Sequence, residues 1–170
     1  YGQSLDLRVG PIILRDAVEF ARRSLGRVWG RRSEAERIQV MLAENLPPVP
    51  ADKQGLSTVM QLLMDNALKF SGKDQPIEVI GCLRDDHVYI AVRDYGIGIA
   101  QDKLQDIFES FYQVDSSSTR RYGGMGIGLA LVKLILDHHN TEIHVDSELG
   151  KGSTFWFLLP WVDLDKSTDF

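Results

Sequence analysis

Four groups of residues in this sequence have types and spacing that could do chemistry. Asp94 leads the run Asp94-Tyr95-Gly96-Ile97-Gly98-Ile99. Glycines there let the backbone turn and a ligand approach closely. An ionised Asp only accepts hydrogen bonds, which suits an exocyclic amine such as that of adenine. Asn66 lies at the edge of an apolar stripe with Lys69 three residues on. Its amide oxygen is a hard ligand of the kind Mg²⁺ takes beside phosphates, and Lys69 could add charge against them. The run Tyr122-Gly123-Gly124-Met125-Gly126-Ile127-Gly128-Leu129-Ala130 sets four glycines before a helical pattern, an arrangement that points backbone N–H groups at an anion. Between these lie Phe108, Phe111 and Tyr112, then Ser116 to Ser118, then Arg120 and Arg121. That order reads as a hinged lid, with aromatics at its base and guanidiniums able to reach a terminal phosphate.

Taken singly, each group also has a bland reading. Asp94 could open a surface turn, Asn66 and Lys69 could be helix-edge residues in solvent, and the glycine run could be a linker. The glycine run is not a P-loop, since no Gly-Lys-Ser/Thr closes it. It is not a dinucleotide fingerprint either, because polar residues rather than a strand precede it. Gly150-Lys151-Gly152-Ser153-Thr154 reads first as a hairpin turn and second as a ligand contact, with Thr154 the residue offered. The histidines suggest no metal site: His87 and His144 fall in strands, and the adjacent His138 and His139 cannot share one helical face. No Ser/His/Asp or Cys/His nucleophile can be assembled.

The elements that must position these residues follow from the spacing of apolar side chains. Leu5 to Val9 reads as a strand, and Ile13, Leu14, Ala17, Val18, Ala21 and Leu25 recur at helical spacing. Arg37 to Leu42 alternates like a strand, after which Pro47, Pro48 and Pro50 predict a loop without regular pairing. Leu56, Val59, Met60, Leu63, Ala67 and Phe70 form one helical stripe. Ile77 to Arg84 and His87 to Asp94 read as a hairpin turning at Asp85-Asp86. A short helical piece is expected around Lys103 to Phe108, and a helix over Leu129 to His138 with Asn140 in the left-handed position after it. Thr141 to Asp146 and Ser153 to Leu159 close a last hairpin. The pattern is that of an α/β sandwich, one layer of helices on one mixed sheet.

With 170 residues, 44% hydrophobic and 25% charged, the chain has the balance of one soluble globular domain. Residues 1–160 are expected to form it and 161–170 a C-terminal tail. A net charge of −5 argues against a nucleic-acid partner, which needs a basic face. The single Cys82 excludes an internal disulfide and fits a reducing, cytoplasmic setting. The longest apolar stretch, Ile127 to Leu136, is broken by Lys133 and is too short for a bilayer of about 30 Å, so no direct membrane contact is expected. The chain opens on Tyr1, and the expectation is a piece of a longer protein whose membrane segments, if any, lie upstream.

In order, Asp65-Asn66-Ala67-Leu68-Lys69-Phe70, Asp94-Tyr95-Gly96-Ile97-Gly98, Phe108-Glu109-Ser110-Phe111 and Gly124-Met125-Gly126-Ile127-Gly128-Leu129 resemble the N, G1, F and G2 boxes of sensor histidine kinases. The resemblance runs from about Leu5 to Pro160. It implies a Bergerat fold, a two-layer sandwich with about three helices on one face of a mixed five-stranded sheet and a flexible ATP lid. It implies ATP and Mg²⁺ as cofactors, with Asn66 holding the metal and Asp94 reading adenine in a pocket shaped by Gly96, Gly98 and Ile99. Phe108 and Phe111 would anchor the lid. Tyr122, Gly123, Gly124, Met125, Gly126, Ile127, Gly128 and Leu129 would form its hinge and contact the nucleotide. Lys69, Arg120 and Arg121 would supply charge at the γ-phosphate.

The implied partners are an upstream histidine-containing dimerisation domain of the same protein and the receiver domain of a response regulator. No histidine here is followed by an acidic residue, so the acceptor is expected upstream, and the isolated domain is expected to be monomeric. Three positions depart from the family pattern: Leu62 where a second Asn is frequent, Gln113 where Arg is frequent, and Met125 where a small hydroxyl residue is usual. Two other readings compete. One is a related ATPase that hydrolyses ATP, although Leu62 stands where such enzymes carry a Glu base. The other is a degenerate nucleotide-binding or docking module without kinase activity.

Overall fold

The computed structural model describes residues 6–28, 32–109 and 125–162. In chain order its elements are β1 (Val9–Ile12), α1 (Leu14–Val28), α2 (Arg32–Ala35), β2 (Ile38–Leu42), β3 (Val49–Asp52), α3 (Lys53–Phe70), β4 (Ile77–Arg84), β5 (His87–Asp94), a 3₁₀ turn (Gln101–Lys103), α4 (Met125–His138), β6 (His144–Glu148) and β7 (Gly152–Pro160). The main sheet runs β2-β4-β5-β7-β6, with β2 parallel to β4 and the other pairs antiparallel. Helices α1, α3 and α4 cover one face, so the expected two-layer sandwich holds.

The core lies between the layers because each element is apolar on one side. Val18, Ala21 and Leu25 of α1 meet Leu56, Met60 and Leu63 of α3, and Leu129, Val132 and Leu136 come from α4. Below them lie Val79, Val88, Ile90, Val92, Phe155 and Phe157 of the sheet. On β7, beyond Gly152 at its start, the buried residues are Ser153, Phe155, Phe157 and Leu159, a period of two that puts Thr154, Trp156 and Leu158 on the other face. Among the described residues no helix is long and apolar enough to cross a membrane.

Three local expectations are corrected. Residues around Pro50 do pair: β1 and β3 form a separate antiparallel ribbon in which Pro11 faces Pro50. Directly opposed residues exchange both ladder bonds or neither, so a Pro–Pro pair occupies the position that needs no N–H. The first strand lies at Val9–Ile12 rather than Leu5 to Val9, because the Arg8 N–H is taken by Asp52 Oδ2 at 2.8 Å instead of by a neighbouring strand. Around Lys103 to Phe108 the chain makes successive tight turns, Lys103 to Ala100, Asp106 to Lys103 and Glu109 to Asp106, each one residue short of α-helical reach.

Asp52 is the cap of α3, its Oδ1 accepting the Gly55 N–H at 2.7 Å. Its own N–H donates to His139 Nε2 at 2.9 Å, so that nitrogen carries no proton and Nδ1 donates to the Ile135 carbonyl at 2.8 Å. The imidazole therefore ties the end of α4 to the start of α3, a structural role. The Arg8 N–H, and then the Gly55 N–H, hold the Asp52 carboxyl below the usual carboxylate range, with burial opposing. A depressed folded-state value means that this stability is present above about pH 4 and is lost as pH falls through the folded value. Asp52→Asn keeps a capping side chain but has nothing to protonate. Between about pH 5 and about pH 3 the urea midpoint of the wild type is expected to fall more steeply than that of the variant; parallel slopes would refute it.

Candidate nucleotide site

Asp94 is the last residue of β5 and is buried, 5% exposed. Its Oδ1 accepts the Gly96 N–H at 2.9 Å, and its carboxylate also accepts the backbone N–H of Ser153, its register partner on β7. Burial pushes its pKa up to about 6, and the two N–H groups pull against that rise. The result is a desolvated acceptor with a proton affinity close to neutrality, at the open end of a strand. Such a perturbed group beside a glycine turn is a site candidate on physical grounds.

The walls around Asp94 are backbone held at distances that only glycine permits. A Cβ on Gly96 would stand 1.9 Å from the Phe70 carbonyl oxygen, to which the Ile97 N–H donates at 3.2 Å. That contact stitches the segment after β5 to the end of α3, the helix that carries Asn66 and Lys69. Gly98 has φ +73° and a Cβ there would stand 2.1 Å from the Glu148 carbonyl oxygen. Gly152 has φ +109° and its Cβ would stand 2.1 Å from the Asp94 carbonyl oxygen. The Gly150 N–H donates to the Ile97 carbonyl at 2.8 Å. The β6–β7 turn is therefore a back wall to Asp94 and the segment after it, beyond the plain hairpin turn expected for it.

Asn66 is buried on α3, 6% exposed. Lys69, one turn nearer the helix end, pairs with Asp65 Oδ2 at 2.9 Å, so its charge is already engaged along its own helix. Ile99 is buried. Phe108 is half-buried with its ring edge-on to Phe155, centroids 6.1 Å apart, which ties Phe108 itself to the core. Helix α4 begins at Met125, four residues before the expected start, so Gly126 and Gly128 lie inside its first turn. The N–H groups of that turn have no intrahelical partner. A Cβ on Gly128 would meet Leu62 Cδ2 at 3.7 Å; an apolar Leu62 thus faces Gly128 at a position where a polar residue is frequent in the resembled family.

Leu129 is buried in the core rather than turned to a ligand. Thr154 is not brought to the pocket: the alternation of β7 places it on the far face of the sheet, opposite Arg93 and Asp146 in register. Its neighbour Ser153 is the buried residue beside Asp94. The signal was present in the sequence, since Phe155, Phe157 and Leu159 share parity with Ser153. Phe111, Arg120, Arg121, Tyr122, Gly123 and Gly124 lie outside the described residues, as do the side chains of Met125 and Ile127. Among the described residues no group of three or more His, Cys, Asp or Glu could hold a metal ion.

A mixed sheet carries one helical layer, and a buried carboxylate at a strand end is walled by glycines, an arrangement compatible with a nucleotide-binding site. A sequence profile of the histidine kinase-, DNA gyrase B-, and HSP90-like ATPases matches residues 51–163, and the chain belongs to that family. Its relatives are sensor kinases. Sensor histidine kinase YkoH of Bacillus subtilis (strain 168) is 39% identical over 105 residues, 62% of this chain and 23% of that protein. Autoinducer 2 sensor kinase/phosphatase LuxQ of Vibrio vulnificus (strain YJ016) is 46% identical over 115 residues, 64% of this chain and 13% of that protein. The chain thus spans a small part of the curated relatives it matches. The structure of full-length ShkA in complex with AMPPNP superposes with a TM-score of 0.75 at 26% identity, over 94% of this chain and 32% of that one.

Proposed function

We propose that this domain binds Mg-ATP and passes its γ-phosphoryl group to a histidine on an upstream dimerisation domain, from which the receiver domain of a response regulator takes it. The observation that carries the reading is Asp94, buried and charged at a pocket where Gly96, Gly98 and Gly152 admit no side chain. An acceptor-only carboxylate fits the exocyclic amine of adenine. One buried amide at Asn66 fits Mg²⁺, which keeps most of its shell as water and phosphate oxygen rather than demanding a protein cage.

When bound, Mg-ATP supplies the transferable phosphoryl and part of the charge neutralisation. The protein contributes placement. Asp94 orients the base, Gly96 and Gly98 hold the segment after it tight against the end of α3 and the β6–β7 turn, and Asn66 would hold the metal through its carbonyl oxygen. Lys69, Arg120 and Arg121 are assigned to the terminal phosphate, and the first-turn N–H groups of α4 to the phosphate chain. No group at position 62 can activate water, so the site favours transfer over hydrolysis. The reading places the domain in the cytoplasm, where ATP is.

Leu62 packed against Gly128 also supports a second reading, a module that binds nucleotide without transferring it. Two measurements separate these. Calorimetric titration with an unhydrolysable ATP analogue is expected to show binding that requires Mg²⁺. Adding the upstream acceptor segment and labelled ATP is expected to give phosphohistidine. Folded protein that binds no nucleotide would leave only a docking module, and binding without label would leave the second reading.

A further inference from the structure

We infer that Ser147 is a positioning residue for the base end of this pocket, its hydroxyl locking the segment after Asp94 to the β6–β7 turn. The inference rests on the proposed nucleotide-binding function. Ser147 lies on β6 directly opposite Ser153. Its Oγ accepts the Ile99 N–H at 2.8 Å, lies 3.0 Å from the Gly152 carbonyl oxygen, and lies 2.7 Å from Ser153 Oγ. Its own carbonyl accepts Gln101 Nε2 at 2.6 Å. One hydroxyl thus touches the chain on both sides of the carboxylate, since Ile99 follows the Gly96 turn and Ser153 supplies the second N–H to Asp94.

The proton count sharpens the case. Ser147 has one O–H and two acceptors within reach. If it donates to the Gly152 carbonyl, Ser153 must donate to Ser147; if it donates to Ser153, the Ser153 proton is freed for the pocket. In either arrangement the Ile99 N–H depends on Ser147 Oγ. Removing the hydroxyl leaves that N–H and the buried Ser153 hydroxyl to find other partners, and both segments that feed N–H groups to Asp94 lose their common tie.

The test compares Ser147→Ala, Ser147→Thr and Val145→Ala, two residues earlier on the same face of β6, by calorimetric titration with Mg-ATP and with adenosine. Ser147→Ala is expected to weaken both ligands by the same factor, about tenfold. Ser147→Thr, which keeps the hydroxyl, should recover to within about threefold of the wild type. Val145→Ala should lower the melting temperature while leaving both affinities within about twofold. If Ser147→Ala does not fold, the exposed Gln101→Ala, which removes the support of the Ser147 carbonyl, should still weaken both ligands about threefold. Binding by Ser147→Ala or Gln101→Ala indistinguishable from a wild type that does bind, or an equal loss in Val145→Ala, would overturn the inference alone. A folded wild type that binds neither ligand would overturn the proposed function and this inference with it.

Discussion

Asp94→Asn is expected to lose nucleotide affinity on the order of 100-fold, about 3 kcal/mol, while becoming more stable than the wild type at neutral pH. Both effects come from one cause. Burial pushes the Asp94 pKa up to about 6, above the value near 3.9 of an unfolded chain. The native state therefore holds this proton more tightly than the unfolded state. Stability from the group is full below about pH 4 and is lost as pH rises through about 6. At pH 8 the ionised carboxylate costs the fold on the order of 3 kcal/mol, a cost the neutral amide avoids while its oxygen still accepts from Gly96.

The melting temperature of the variant should exceed that of the wild type by several degrees at about pH 8, and the gap should close towards about pH 4. Affinity should move the other way. The ionised form is the one that accepts from an exocyclic amine, so wild-type binding should weaken as pH falls through about 6, with a slope that Asp94→Asn does not share. A variant that binds within threefold of the wild type at pH 8 would remove Asp94 from recognition. A variant less stable at every pH would show that the carboxylate is a structural hydrogen-bond acceptor first.

Gly152→Ala is expected to destabilise the fold by about 4 kcal/mol or to prevent folding, a large share of the roughly 5–15 kcal/mol that a domain has. Two terms add. Gly152 has φ +109°, where L side chains are rarely found, and its Cβ would stand 2.1 Å from the Asp94 carbonyl oxygen, a backbone atom held in the β5–β7 ladder. Backbone strain alone costs about 1–2 kcal/mol, and forced repacking typically about 1–3 more. Two other glycines isolate the terms. Gly150 also has a positive φ, +82°, but a Cβ there meets nothing within 4 Å, so Gly150→Ala should cost only the strain. Gly10 has neither constraint, and Gly10→Ala should be neutral or slightly stabilising. Urea unfolding of the three variants tests the series. If Gly152→Ala falls within about 1 kcal/mol of Gly150→Ala, the seam between Asp94 and the β6–β7 turn is soft, and the rigid back wall described for Asp94 is wrong.

What the sequence determined by itself is whatever depends on near neighbours. Helical spacing located α1 and α3, strand alternation located β4 and β5, and Asn140 does take the left-handed φ of 58° after α4. The tight turn after Asp94 was legible too, because a carboxylate followed closely by Gly-x-Gly constrains its own backbone. Those signals act over a few residues and survive without a partner.

Tertiary structure decided the rest, because it concerns residues far apart in the chain. The β1–β3 ribbon accommodates its prolines because Pro11 meets Pro50, and neither proline announces the other. Ser153 rather than Thr154 borders Asp94 because β7 pairs with β5 in one register, and a shift of a single residue would exchange them. The acidity of Asp94 follows from burial that only the closed fold imposes. Leu62 faces Gly128 because α4 starts early enough to bring that glycine against it. Ser147 gives no local sign of its position between Ile99 and Ser153; its hydroxyl gains that role only when the β6–β7 turn folds against a segment some fifty residues earlier, as its 2.8 Å contact with the Ile99 N–H records.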